Sequence, residues 1–150
     1  MSESSEMAVP LRVAYAAGDP DTLAPDGSEI RLLVDERHAV TRASLCEVNL
    51  PADHVSRPVW HRRVEEIWYV LAGRGWVWRA PPDVANAETN QSYVVEVEPG
   101  AALAIPTGWR FQFCAAPDAA LRFLCYTAPP WPGPDEAQPA ANGGRWPATV

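Results

Sequence analysis

The residues able to do chemistry are gathered in one stretch, Pro58 to Arg79, PVWHRRVEEIWYVLAGRGWVWR. It holds one histidine, His61, and the adjacent carboxylates Glu65 and Glu66, within a run rich in Trp, Tyr, Val and Ile. An imidazole beside a carboxylate is a general acid–base unit, because burial raises the cost of charge on each partner while proximity lowers it again, holding the pair near the physiological titration range. In that reading His61 transfers the proton and Glu66 orients it. The bland reading, that the two only hydrogen-bond each other with no turnover, stands beside it, since no sequence feature reports a substrate. The three cysteines, Cys46, Cys114 and Cys125, are widely spaced in apolar segments with no neighbouring histidine. They read as reduced core thiols rather than disulfides, nucleophiles or a metal cluster.

The elements that must position these side chains are strands. Ile30 to Val34 and Thr41 to Leu50 are β-rich and are joined by the charged DERH segment, where His38 reads as a solvated loop residue. Leu11 to Tyr15 carries a weaker β signal, ahead of a Gly/Pro/Asp-rich loop over 18–28. Glu66 to Leu71 and Trp76 to Arg79 are strands around Ala72-Gly73-Arg74-Gly75, whose glycines suit a tight hairpin. Tyr93 to Val97 alternates apolar and acidic residues as a half-buried strand does. After it, 98–113 reads as turn, strand, turn and strand, and Leu121 to Thr127 as the last strand. No segment is both long and helically periodic, so the expected class is an all-β sandwich or barrel. The Pro-rich tail from Ala128 cannot join a central strand, because proline lacks the ladder donor, and Trp131 and Trp146 suggest that it is pinned on the barrel surface or at a dimer contact.

Composition bounds the partners. At 150 residues and 47% hydrophobic, the chain suits one domain with a sizeable core. The expected organisation is a disordered start over 1–8, a barrel over 9–127 and the packed tail over 128–150. A formal net charge of −7 with scattered arginines argues against nucleic acid. No apolar run approaches the ~20 residues of a membrane-spanning helix, and MSESSE is unlike a signal peptide, so a soluble cytoplasmic protein without a membrane partner is expected.

In register, the central stretch resembles the first motif of the cupin superfamily, which runs Gly, five residues, His, one residue, His, three or four residues, Glu, six residues, Gly. Glu66 and Gly73 match, and His61 matches the second histidine, while Val59 and Asp53 occupy the first-histidine and leading-glycine positions. Gly100, Pro106 and Gly108 match the second motif, with Phe111 at its histidine position and Ala115 at its asparagine position. The resemblance covers roughly 41–127 and implies a single-domain cupin jelly-roll β-barrel, often dimeric in that superfamily. In its metal-binding members three histidines and the glutamate hold the ion; this chain keeps His61 and Glu66 alone. A divalent transition metal held by two protein ligands binds weakly, so no cofactor is expected unless another residue completes the set. His54 is the candidate, although on a continuous strand it faces away from His61 and only a bend near Asp53 would re-aim it.

By alternation from Glu66, Trp68 faces the lumen and Tyr69 faces out, and Trp109, Phe111 and Phe113 point in while Arg110 and Gln112 point out. The expected site is an apolar pocket with His61 and Glu66 as acid and base and Val59, Trp68, Phe111 and Phe113 as ligand-binding walls. Arg42 and Arg57 are candidates to reach the barrel mouth and hold an anionic group, against the default of solvated arginines. Three functions compete: a small-molecule-binding cupin acting as a metal-independent isomerase or cyclase, a metal-dependent dioxygenase or isomerase with an incomplete ligand set, and a non-catalytic ligand-sensing or homodimer-forming module.

Overall fold

The computed structural model describes residues 8–150, so the disordered start expected over 1–8 lies, but for Ala8, outside the described residues. The described residues fold into eleven strands: β1 Thr22–Leu23, β2 Glu29–Val34, β3 Ser44–Leu50, β4 Val59–His61, β5 Glu65–Ala72, β6 Gly75–Ala80, β7 Val94–Val97, β8 Ala102–Ile105, β9 Arg110–Ala115, β10 Leu121–Ala128 and β11 Ala137–Pro139. They form a six-stranded sheet in the order β1-β2-β3-β10-β5-β8 and a five-stranded sheet in the order β11-β4-β9-β6-β7. All pairings are antiparallel. The fold is an all-β jelly roll, and the described residues contain no α-helix.

Period-two alternation builds the interior. On β5 the buried positions are Glu66, Trp68 and Val70, with Glu65, Ile67 and Tyr69 exposed between them. On β10 the buried set is Leu121, Phe123, Cys125 and Thr127. Phe111 and Phe113 of β9 meet them from the opposite sheet, giving one continuous core. Trp68 stacks on Phe123 with centroids 4.2 Å apart, and Phe113 meets both rings edge-on, a geometry aromatic quadrupoles favour.

The expected hairpin over Pro58 to Arg79 is not formed. β5 pairs with β10 and β8, whereas β6 pairs with β9 and β7, so the chain crosses from one sheet to the other at Gly73-Arg74. The glycines are needed at this corner for the same local reasons a hairpin would need them. Gly73 has φ +79°, and a side chain there would run into the Ala120 carbonyl; one at Gly75 would run into the Cys114 carbonyl. Gly73→Ala is therefore expected to destabilise the barrel by about 2 kcal/mol or more, from the left-handed backbone and the clash together. Urea unfolding checks this, and an unchanged midpoint would refute the tight corner.

Two further expectations change. Leu11 to Tyr15 joins no ladder: a 3-10 turn covers Val9–Leu11 and the chain then runs extended, leaving Leu11, Val13 and Tyr15 exposed. The Arg31 side chain donates instead to the Ala17 and Gly18 carbonyls just beyond, at 2.8 and 2.9 Å. β3 begins at Ser44 rather than Thr41. The DERH segment forms a 3-10 turn over Glu36–His38, where His38 Nδ1 accepts the Asp35 N–H at 3.3 Å, a structural cap.

The tail closes one end of the barrel. β11 adds to the edge of β4, pairing Ala137 with His61 and Pro139 with Val59, where proline leaves no central ladder broken. Beyond it, Trp146 covers Gln112, which donates to the Ser56 and Trp146 carbonyls at 2.8 and 2.7 Å and accepts the Trp146 N–H at 3.0 Å. Gln112 thus points away from the lumen yet is fully buried.

Candidate active site in the barrel

Between the sheets lies a cavity of about 410 Å³. β4 and β9 bring Val59, His61, Phe111 and Phe113 to one wall, and β5 and β10 bring Glu66, Trp68, Phe123 and Cys125 to the other. The mouth is framed by the segment around Thr22–Asp26, by Asp35 and Glu36, and by Pro130 to Pro134 of the tail.

At its centre His61 Nδ1 lies 3.7 Å from Glu66 Oε2. Both residues are buried, 4% and 7% exposed. The separation is too long for a hydrogen bond, and His61 Nδ1 has no other partner. The imidazole is held by edge contacts to Phe111 and Trp131, at 5.1 and 5.2 Å between ring centres. Trp131 is fixed in turn by its backbone N–H, which donates to Ser44 Oγ at 3.0 Å. Glu66 Oε1 accepts the Trp68 indole N–H at 2.8 Å, a contact available because residues i and i+2 share a strand face. The Cys125 thiol hydrogen-bonds the same carboxyl.

These surroundings push the titrations of the pair in opposite directions. Burial holds the His61 imidazole down to about 4, against the opposing pull of the Glu136 carboxylate. Burial pushes the Glu66 carboxyl up to about 7; the Trp68 and Cys125 hydrogen bonds oppose the rise, and the charges of Asp26 and Glu136 add to it. Near neutrality the group that gains and loses a proton is Glu66, and His61 is neutral. Burial, the Cys46 contact and Glu66 together keep the Cys125 thiol protonated, so it serves as a donor and not a nucleophile.

The other expected site residues divide cleanly. Val59, Trp68, Phe111 and Phe113 line the cavity. Arg42 and Arg57 do not; Arg42 is exposed, and Arg57 donates to the Val150 carbonyl at 2.9 Å and the Pro25 carbonyl at 3.4 Å. Trp109 is also outside the wall. His54 is turned to Thr149, with Nδ1 2.9 Å from Oγ1, even though Asp53 does adopt a bend with φ +65°. The donors therefore do not fit a transition metal needing three or four protein ligands: Val59 and Phe111 offer none, His54 points elsewhere, and the described residues contain no cluster of three or more His, Cys, Asp or Glu placed around one ion. Phe123, Cys125 and Trp131 belong to the wall without having been assigned to it from sequence; alternation along Leu121 to Thr127 could have found the first two.

Among the described residues no helix is long and apolar enough to cross a membrane. No curated protein matches the chain in sequence. Among solved structures, the polyketide cyclase RemF from Streptomyces resistomycificus is 26% identical, with a TM-score of 0.60 over 85% of this chain and 80% of that one. A predicted oxalate decarboxylase from Thermotoga maritima is 17% identical, with a TM-score of 0.60 over 78% and 98% of the two chains. The Streptomyces nucleoside dehydratase Pac13 is 12% identical, with a TM-score of 0.56 over 85% and 84%. The last two likenesses speak for the fold alone. A family model described as Cupin matches residues 16–129, and with the jelly roll and both motif registers in place the chain belongs to the cupin family.

Proposed function

We propose that this cupin is a small-molecule enzyme of the isomerase or cyclase type, which moves a proton on an apolar carbonyl compound without help from a metal. The observation that carries the reading is a carboxyl, Glu66, held near 7 in the wall of an aromatic cavity large enough for a ring system. A carboxyl with that value is ionised often enough to take a proton from carbon next to a carbonyl, and is a strong enough acid to return it at another position. Trp68 holds one oxygen of Glu66 and leaves the other toward His61. His61, neutral and buried, is placed to hold the carbonyl oxygen or a second transferring proton. The likeness to a protein named as a polyketide cyclase supports a ring-closing reading for this chain.

Exchange of the α-hydrogens of enolisable aryl ketones for deuterium in D₂O tests this directly, because enolisation needs no knowledge of the final product. Exchange faster than in buffer, unchanged after dialysis against a chelator, is the expected result. Loss of exchange on chelation, with recovery on adding a metal, would refute the metal-free reading. No exchange across a ketone panel would remove proton transfer altogether.

A further inference from the structure

We propose that the cavity selects an uncharged ligand, an aromatic carbonyl compound lacking a carboxylate. This deepens the acid–base reading of the same site by naming what the site admits. Four acidic residues line the cavity, Asp26, Asp35, Glu36 and Glu66, and among the described residues no lysine or arginine does. Two arginines that bond to lining residues, Arg57 and Arg37, do not line the cavity themselves. Arg57 is bound to the Val150 and Pro25 carbonyls, and Arg37 is held outside on Asp35 at 2.9 Å. A carboxylate entering the cavity would give up water for aromatic walls with no cation to meet it, and would do so beside acidic groups.

An ammonium is no better served. Asp26 is occupied by Ser28, whose N–H and hydroxyl both donate to its Oδ1, at 2.9 and 2.6 Å. Asp35 is bound to the Arg37 backbone and side chain. Glu36 is exposed at the rim. That leaves Glu66, and a cavity that disfavours charge on its own carboxyl disfavours it on a ligand for the same reason. A neutral carbonyl compound avoids the penalty, and by displacing water from the cavity it favours the neutral form of Glu66 as well. Around Glu66 the titratable groups are His61 on β4, Cys125 on β10, Cys46 behind it on β3, Asp26 on the mouth segment and Glu136 on the tail, and none is a cation at neutral pH.

Calorimetric titration with three probes of one shape, 2-acetylnaphthalene, 2-naphthoate and 2-naphthylmethylammonium, separates the charge types. The ketone is expected to bind about tenfold or more tightly than the naphthoate, and more tightly than the ammonium below neutrality. Its affinity should fall as Glu66 ionises between about pH 6 and pH 8, and Glu66→Gln should abolish that fall. Naphthoate binding as tight as the ketone, a preference for the ammonium at the lower pH, a pH dependence that survives in Glu66→Gln, or binding of none of the three would each overturn the proposal. Binding is read without turnover, so a failed selection leaves the proton-transfer reading standing, and absent α-exchange leaves the selection standing.

Discussion

Glu66→Gln is expected to slow α-hydrogen exchange on a suitable ketone by about 10²- to 10⁴-fold, the usual contribution of a positioned acid–base group, while the protein remains folded. Glutamine keeps an oxygen for the Trp68 indole N–H, so the hydrogen bond at 2.8 Å is retained and only proton transfer is removed. With ionised Glu66 as the base, as proposed, exchange should rise with pH through about 7 and then level off. His61 titrates far lower, at about 4, and contributes no limb in that range. The same substitution has a stability signature. The folded-state value of Glu66 lies above its ordinary 4.5, so its ionisation opposes folding. That penalty is absent below about 4.5, grows as pH rises and is complete above about 7. Relative to wild type, the glutamine variant should therefore gain stability from acid toward alkaline pH, measured by urea unfolding. Exchange within about threefold of wild type, or a wild-type profile flat across neutrality, would remove Glu66 from the chemistry.

The titration of the His61–Glu66 pair marks where sequence reasoning stopped. Spacing put His61 and Glu66 in one motif, and alternation correctly turned Glu66 and Trp68 inward, because both are properties of a strand and its period. Which of the two holds the mobile proton depends on how much water each retains and on partners distant in sequence: Cys125 lies on another strand and Glu136 in the tail. No pattern within the central stretch carries that information. The corner at Gly73 was hidden for a related reason. Glycine at positive φ signals that the chain turns sharply, but whether it returns along its own sheet or crosses to the other is decided by β10 and β8 occupying both edges of β5. The arginines failed through reach. Arg57 finds the carbonyls of Pro25 and Val150, the second 93 residues away along the sequence, and so never serves the barrel mouth.

Glu136→Ala is expected to lower stability by about 2–4 kcal/mol and the melting temperature by roughly 5–15 °C, for one buried carboxylate serves two backbone donors. Glu136 is 4% exposed. Its Oε2 accepts the N–H groups of Arg63 and Val64 at 2.5 and 2.7 Å, while its carbonyl accepts the Arg62 N–H at 3.0 Å. Alanine keeps the carbonyl contact but leaves two donors unpaired, one of them on fully buried Val64, and the cost of orphaning a donor exceeds the net worth of the bond. The consequence reaches the cavity, because the loop so clamped directly follows His61 and the tail on either side of Glu136 supplies Pro134 and Ala137 to the wall. Glu136→Gln keeps an oxygen able to accept the same N–H groups, and it should recover most of the loss. A melting temperature within about 1 °C of wild type for the alanine variant would show that the tail rests on the barrel without holding the His61 loop. A glutamine variant as unstable as the alanine one would instead assign the effect to charge rather than to the two donors.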